Sequence, residues 1–247
     1  MGSINSVWGD LMKGTGKYIG INQRVPFDVL DNGLFRFLRD KTIEKELIIS
    51  HLREFTKGEN RLLKATQYAV QILSRQKKCI LELNESISAE AYLKLSVTDR
   101  KVIILSLVAL TYPITYDLLI ALASGFKVQV QINRQFINQK MAALYGSNRT
   151  LDIALDALLP MIIELGTIER VKTSLYALAQ KNFITQPIIK ELIIFTDIKL
   201  SGSKSILVDD LQYRPWYMFY EINLDKKHKF SLFKYVESRV GQGYLTI

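Results

Sequence analysis

The chain has 247 residues, 48% hydrophobic and 23% charged, a balance that excludes a disordered or fibrous protein and leaves room for one large domain or two small ones. Its 33 Lys and Arg against 24 Asp and Glu give a formal net charge of +9, which favours anionic partners such as a phosphate backbone. One cysteine, Cys79, and two histidines, His51 and His228, exclude an internal disulfide and any cysteine- or histidine-rich metal site, so neither metal nor cofactor is expected.

The start of the chain lacks the basic-then-apolar order of a secretory signal, and the cysteine usage suits a reducing compartment, so a cytoplasmic location is expected. Gly2 and Ser6 fit the loose myristoylation pattern, which arises often by chance. Residues 1–26, with glycines at 2, 9, 14, 16 and 20, read as a loose arm. Within it, Lys13-Gly14-Thr15-Gly16-Lys17 is not a phosphate loop, because Leu11 stands where a glycine is required and Tyr18 follows the lysine.

Residues 27–126 read as a helical bundle. Phe27, Leu30, Leu34, Phe37 and Leu38 recur at helical spacing. Thr56-Lys57-Gly58-Glu59 has the form of a capping box, opening a helix whose one face carries Lys57, Arg61, Lys64, Tyr68, Gln71, Arg75 and Lys78. Leu62, Ala65, Ala69, Ile72 and Leu73 make the opposite, apolar face. Such a basic stripe is either a track for phosphates or a solvated helix face. Cys79, beside Lys77 and Lys78, reads as a buried thiol despite the neighbouring cations. From Val102 to Phe126 the chain is almost wholly apolar. Tyr112-Pro113 cuts the run and Asp117 would sit deep in hydrocarbon, so two buried helices are expected and no membrane partner.

Residues 127–200 carry the order of a winged helix-turn-helix. A polar-faced helical segment from Gln129 ends at Gly146, Asn148 or Thr150 can start a second helix with Pro160 kinking or ending it early, and Thr167 to Leu178 can form the wing. Arg134, Lys140 and Arg149 on the helices, with Arg170 and Lys172 on the wing, are candidate phosphate contacts. Asp152 and Asp156, one turn apart on the second helix, oppose DNA and favour a protein-binding adaptor as the alternative. Beyond Gln186-Pro187, which opens a helix or a buried strand, Asp197-Ile198-Lys199 has the metal-and-lysine spacing of some nucleases but lacks a well-placed second acid. Residues 201–247 form an extension in which Trp216 to Ile222 and Phe230 to Val236 pair as a hairpin around the turn Leu224 to Lys229. The fold class expected is therefore mainly α: a multi-helix bundle with a winged-helix-like unit and a C-terminal β-hairpin. Its partner is double-stranded DNA, held through Lys57, Arg61, Lys64, Arg75 and Lys78 on one side and the five cations of the winged unit on the other, with no catalysis.

The order of a basic helix (ENRLLKATQYAVQIL), a buried helix pair (VIILSLVALTYPITYDLLIAL) and a winged-helix-like segment (GSNRTLDIALDALLPMIIELGTI) resembles BrxA, the small helical component of BREX bacteriophage-exclusion systems. The resemblance covers residues 45 to 195 in layout and hydrophobic pattern, and the longer C-terminal segment departs from it. It implies a cytoplasmic, non-enzymatic DNA-binding defence protein; in the adaptor alternative the partner is another protein of the same system.

Overall fold

Helical apolar spacing runs through the first half of the chain, and the computed structural model, which describes residues 17–222, 230–238 and 241–247, is helical there. In order come α1 (Phe27–Asp40), α2 (Lys45–Leu52), α3 (Glu59–Arg75), α4 (Lys77–Ser86), α5 (Ala89–Lys94), α6 (Val97–Thr111) and α7 (Ile114–Phe126). A helix apolar on all sides must be surrounded. Accordingly α6, buried at every position from Val102 to Ala109, has α1, α3, α7 and α10 (Pro187–Leu200) packed around it. Ser96 caps α6 by accepting the Asp99 amide at 3.0 Å, and the fully buried Asp99 carboxylate accepts the Thr185 amide at 3.1 Å, tying the start of α6 to the approach to α10.

No single described helix is long and apolar enough to cross a membrane. Helices α6 and α7 together have the length and composition, but they meet at 114° across Tyr112-Pro113 and lie in the core.

The next unit alternates helices and strands: β1 (Gln131–Asn133), α8 (Arg134–Tyr145), α9 (Arg149–Glu164), β2 (Ile168–Lys172) and β3 (Leu175–Leu178). Its three strands form an antiparallel sheet in the order β1-β3-β2. The expected helix over Gln129 to Gly146 is thus shorter. Gln131 to Asn133 pairs with β3, and Asn133 caps α8 by accepting the Phe136 amide at 2.8 Å. Asn148 caps α9, accepting the Leu151 amide at 3.0 Å, as its spacing predicts. Pro160 does not end α9: burial of Leu158, Leu159, Met161 and Ile162 outweighs the missing amide, and the helix runs on to Glu164. Gly125 lets α7 meet this unit closely, since a Cβ there would come within 2.7 Å of the Phe136 ring.

The C-terminal extension departs from the expected hairpin. Trp216 to Phe219 forms one helical turn, α11, because Pro215 fixes its entry and the fully enclosed Trp216 ring stacks on Tyr220. Then β6 (Tyr220–Glu221) runs parallel to β4 (Asn182–Phe183). Strand β7 (Lys234–Val236) pairs instead with β8 (Tyr244–Thr246), which also pairs with β5 (Ser205–Leu207). The anticipated turn at 224–229 lies outside the described residues.

Three aspartates tie distant segments by one device, each accepting a tyrosine hydroxyl and a cation. Asp31 takes Tyr92 at 2.5 Å and Arg100; Asp117 takes Tyr145 at 2.5 Å and Lys17 at 2.9 Å; Asp197 takes Tyr116 at 2.7 Å and Arg214. Burial, and then the neighbouring carboxylate, raises the hydroxyls of Tyr92, Tyr116 and Tyr145 far above the ordinary tyrosine range. Unfolded tyrosines release their protons near pH 10, so above that pH the folded chain holds more protons than the unfolded one and stability falls as pH rises. Alkaline titration is expected to show these phenolates forming together with loss of helical circular dichroism. Their ionisation with the helices intact would contradict the triads.

The lone thiol follows the same logic. Burial pushes Cys79 up to about 11, with Glu82 adding to the rise and Lys199 opposing it, so native protein at neutral pH should resist alkylation and react once denaturant is added.

Candidate nucleic-acid interface

Two surfaces gather the cations that the sequence singles out. On α3 the apolar face Leu62, Ala65, Ala69, Ile72 and Leu73 is buried against the bundle, which leaves Arg61, Lys64 and Arg75 exposed. Among the described residues these three make no ion pair and no hydrogen bond, and Lys57 makes none either. The stripe is shorter than its spacing predicts. The capping box does not form: Phe55 and Thr56 donate their amides to the Leu52 carbonyl and finish α2, so α3 starts at Glu59 behind Gly58. At the other end the helix breaks at Gln76, which places Lys78 on α4, within 3.9 Å of Glu82. Tyr68 and Gln71 also leave the stripe's service. Tyr68 donates to Asn22 at 2.8 Å, and Gln71 accepts the Tyr112 hydroxyl at 2.7 Å.

Asn22 belongs to a strap, residues 17–26, which was expected to be loose. Instead Ile21 and Val25 are buried, Lys17 reaches Asp117 on α7, and Arg24 reaches Glu164 on α9 at 2.9 Å. The strap therefore links α3, α7 and α9, the elements that carry or support both cationic surfaces. Its polar anchors are separated from their partners by 46 to 140 positions, which is why spacing alone does not reveal them.

The second surface is the α8–α9 corner with the β2–β3 hairpin. Gly146, at φ +77°, turns the chain where any side chain would be strained, although a Cβ there would meet only the Asn148 amide, at an ordinary 3.7 Å. Lys140, Arg149, Arg170 and Lys172 are exposed there. Arg149 is the first residue of α9, where the helix dipole disfavours a cation by about 0.3–1 kcal/mol. The hairpin tip is short, Thr173 and Ser174, with Ser174 at φ +59° and its carbonyl accepting the Arg134 amide at 2.8 Å.

Arg134 itself is not a free cation. Its side chain is 19% exposed, and the guanidinium donates to Asp156 at 3.0 Å, to Asn138 at 2.7 Å and to the Asp152 carbonyl at 3.4 Å. It braces α8 against α9, and Asp156 is neutralised by it. The Asp152 carboxylate remains exposed without an ion pair among the described residues.

Asp197 lies within helix α10, with its carboxylate closed off by Tyr116 and Arg214, while Lys199 is exposed with its ammonium 5.4 Å from the Phe195 ring centre. Asp197 thus does more than end an element, because it anchors the C-terminal extension to α7. Glu191 accepts the Ser231 and Leu232 amides at 2.7 and 2.9 Å. Among the described residues no three His, Cys, Asp or Glu side chains gather as a metal site.

No protein-family model matches the chain, and neither a curated protein nor a solved structure matches it.

Proposed function

We propose that the protein binds duplex DNA through its phosphates, with α3 as one contact face and a winged helix, formed by β1 to β3 with α8 and α9, as the other. The observation that carries this reading is the unbalanced charge on α3: Arg61, Lys64 and Arg75 stand exposed on one helix, without an ion pair or side-chain hydrogen bond among the described residues. Long flexible cations without protein partners suit sequence-independent phosphate contact. The element order and the sheet order β1-β3-β2 support the winged-helix assignment. Arg149 at the head of α9, with Lys140 beside the corner and Arg170 and Lys172 on the wing, supplies the second set of contacts. Binding is non-catalytic, and the resemblance to BrxA supports a place among the proteins of a phage-defence system.

A second reading has its own support. Leu144 and Ile153 are each 40% exposed at the α8–α9 corner, beside Asp152, and an apolar spot with an acid suits a protein partner better than phosphate. Heparin chromatography with a mobility-shift assay at physiological salt separates the two. Late elution and a shift with duplex of arbitrary sequence are expected. Early elution with no shift would leave the adaptor reading in its place.

A further inference from the structure

A cavity of about 190 Å³ opens between the strap and the first turns of α3. Buried Pro26, Leu52 and Ala65 give it an apolar floor, and the half-exposed Phe55 ring, Thr56 and Arg61 line its exposed part. Its size is informative, because a dry cavity of about 150 Å³ holds benzene. A six-membered ring with its substituents, the size of a pyrimidine base, fits within it.

Its charge narrows the class further. Arg24 also lines the cavity but is matched by Glu164, whereas the Arg61 guanidinium has no partner among the described residues. The mouth is therefore positive, and it continues into Lys57 and Lys64. A ring-sized apolar slot with an aromatic side and a free guanidinium suits a ring joined to an anion. A neutral aromatic side chain from another protein would leave Arg61 unused.

We propose that this cavity binds one unpaired pyrimidine nucleotide of the DNA, its base against Phe55 and its phosphate on Arg61, as offered by a single-stranded overhang or frayed end. The proposal rests on the DNA-binding reading and adds to it a preference for ends. Stacking of a base on an aromatic side chain leads us to expect about tenfold tighter binding.

Fluorescence anisotropy would compare a blunt duplex with the same duplex carrying a single 3′ thymidine at each end. The overhang duplex is expected to bind about tenfold more tightly, with the preference abolished in Thr56→Trp, which fills the slot from its rim, and in Phe55→Ala. Neither change should alter affinity for the blunt duplex. Equal affinity of the unaltered protein for both duplexes, or a preference that survives both substitutions, overturns the proposal. Thymidine monophosphate alone provides an independent probe, followed at the Phe55 ring resonances. Ring shifts without binding of either duplex would uphold the slot and remove the duplex reading. Tight duplex binding with neither ring shifts nor an end preference would do the reverse.

Discussion

Replacing Arg214 by Met is expected to lower the unfolding free energy by about 3–5 kcal/mol, because it strands the buried Asp197 carboxylate with only the Tyr116 hydroxyl. The methionine keeps much of the arginine stem's packing, so the loss reports on charge rather than volume. Asp197→Asn retains a hydrogen-bond acceptor and should cost less, about 1–2 kcal/mol. Urea unfolding followed by circular dichroism measures both. A loss below about 1 kcal/mol for Arg214→Met would mean that water already solvates the Asp197 carboxylate. The same network bears on nuclease chemistry, since a divalent ion would have to displace Arg214 to reach this carboxylate. Supercoiled plasmid is expected to stay intact with Mg²⁺ or Mn²⁺, and cleavage that vanished in folded Asp197→Ala would reverse the non-catalytic reading.

The largest effect on binding is expected from Lys64→Glu with Arg75→Glu. On the proposed reading the pair would remove two phosphate contacts and add two repulsions, which should weaken duplex binding roughly 100-fold near 0.1 M salt, alike for unrelated sequences. Stability should hardly change, because both side chains are exposed and neither makes an ion pair among the described residues. By contrast, Arg134→Glu should damage the fold of the α8–α9 corner as well as binding, since Arg134 holds Asp156 and the Asp152 carbonyl. Unchanged affinity in the Lys64/Arg75 variant would reduce the α3 face to a solvated surface.

The parts of this fold legible in the sequence are those set by local rules. Helical spacing marks α1 and α3, the apolar run cut at Tyr112-Pro113 marks α6 and α7, the Asn148 cap lies where its side chain suggests, and the β2–β3 hairpin falls within Thr167 to Leu178. Where two local rules compete at one residue, spacing is not decisive. Thr56 can open α3 or close α2, and the apolar contacts of Leu52 favour the second. Strand β1 is missed because Gln131 to Asn133 is too short to announce itself, although Asn133 ahead of α8 carries the cap that ends it. Residues 216–236 are β-prone in composition, yet strand partners are chosen by tertiary contact, and β6 finds β4 some 38 positions away. The cations are legible as residues but not in their employment: nothing local distinguishes Arg134, a brace, from Arg149, a free side chain.

The most direct test of phosphate-led binding is the dependence of duplex affinity on salt for two unrelated sequences of equal length. Log affinity is expected to fall against log salt with a slope of about −4 or steeper, near −0.9 per phosphate contacted, and the two lines should superimpose. Two lines that are flat, or that separate by more than about 10³ in affinity, would contradict it: the first removes the phosphates from the interface, and the second makes base reading its principal source.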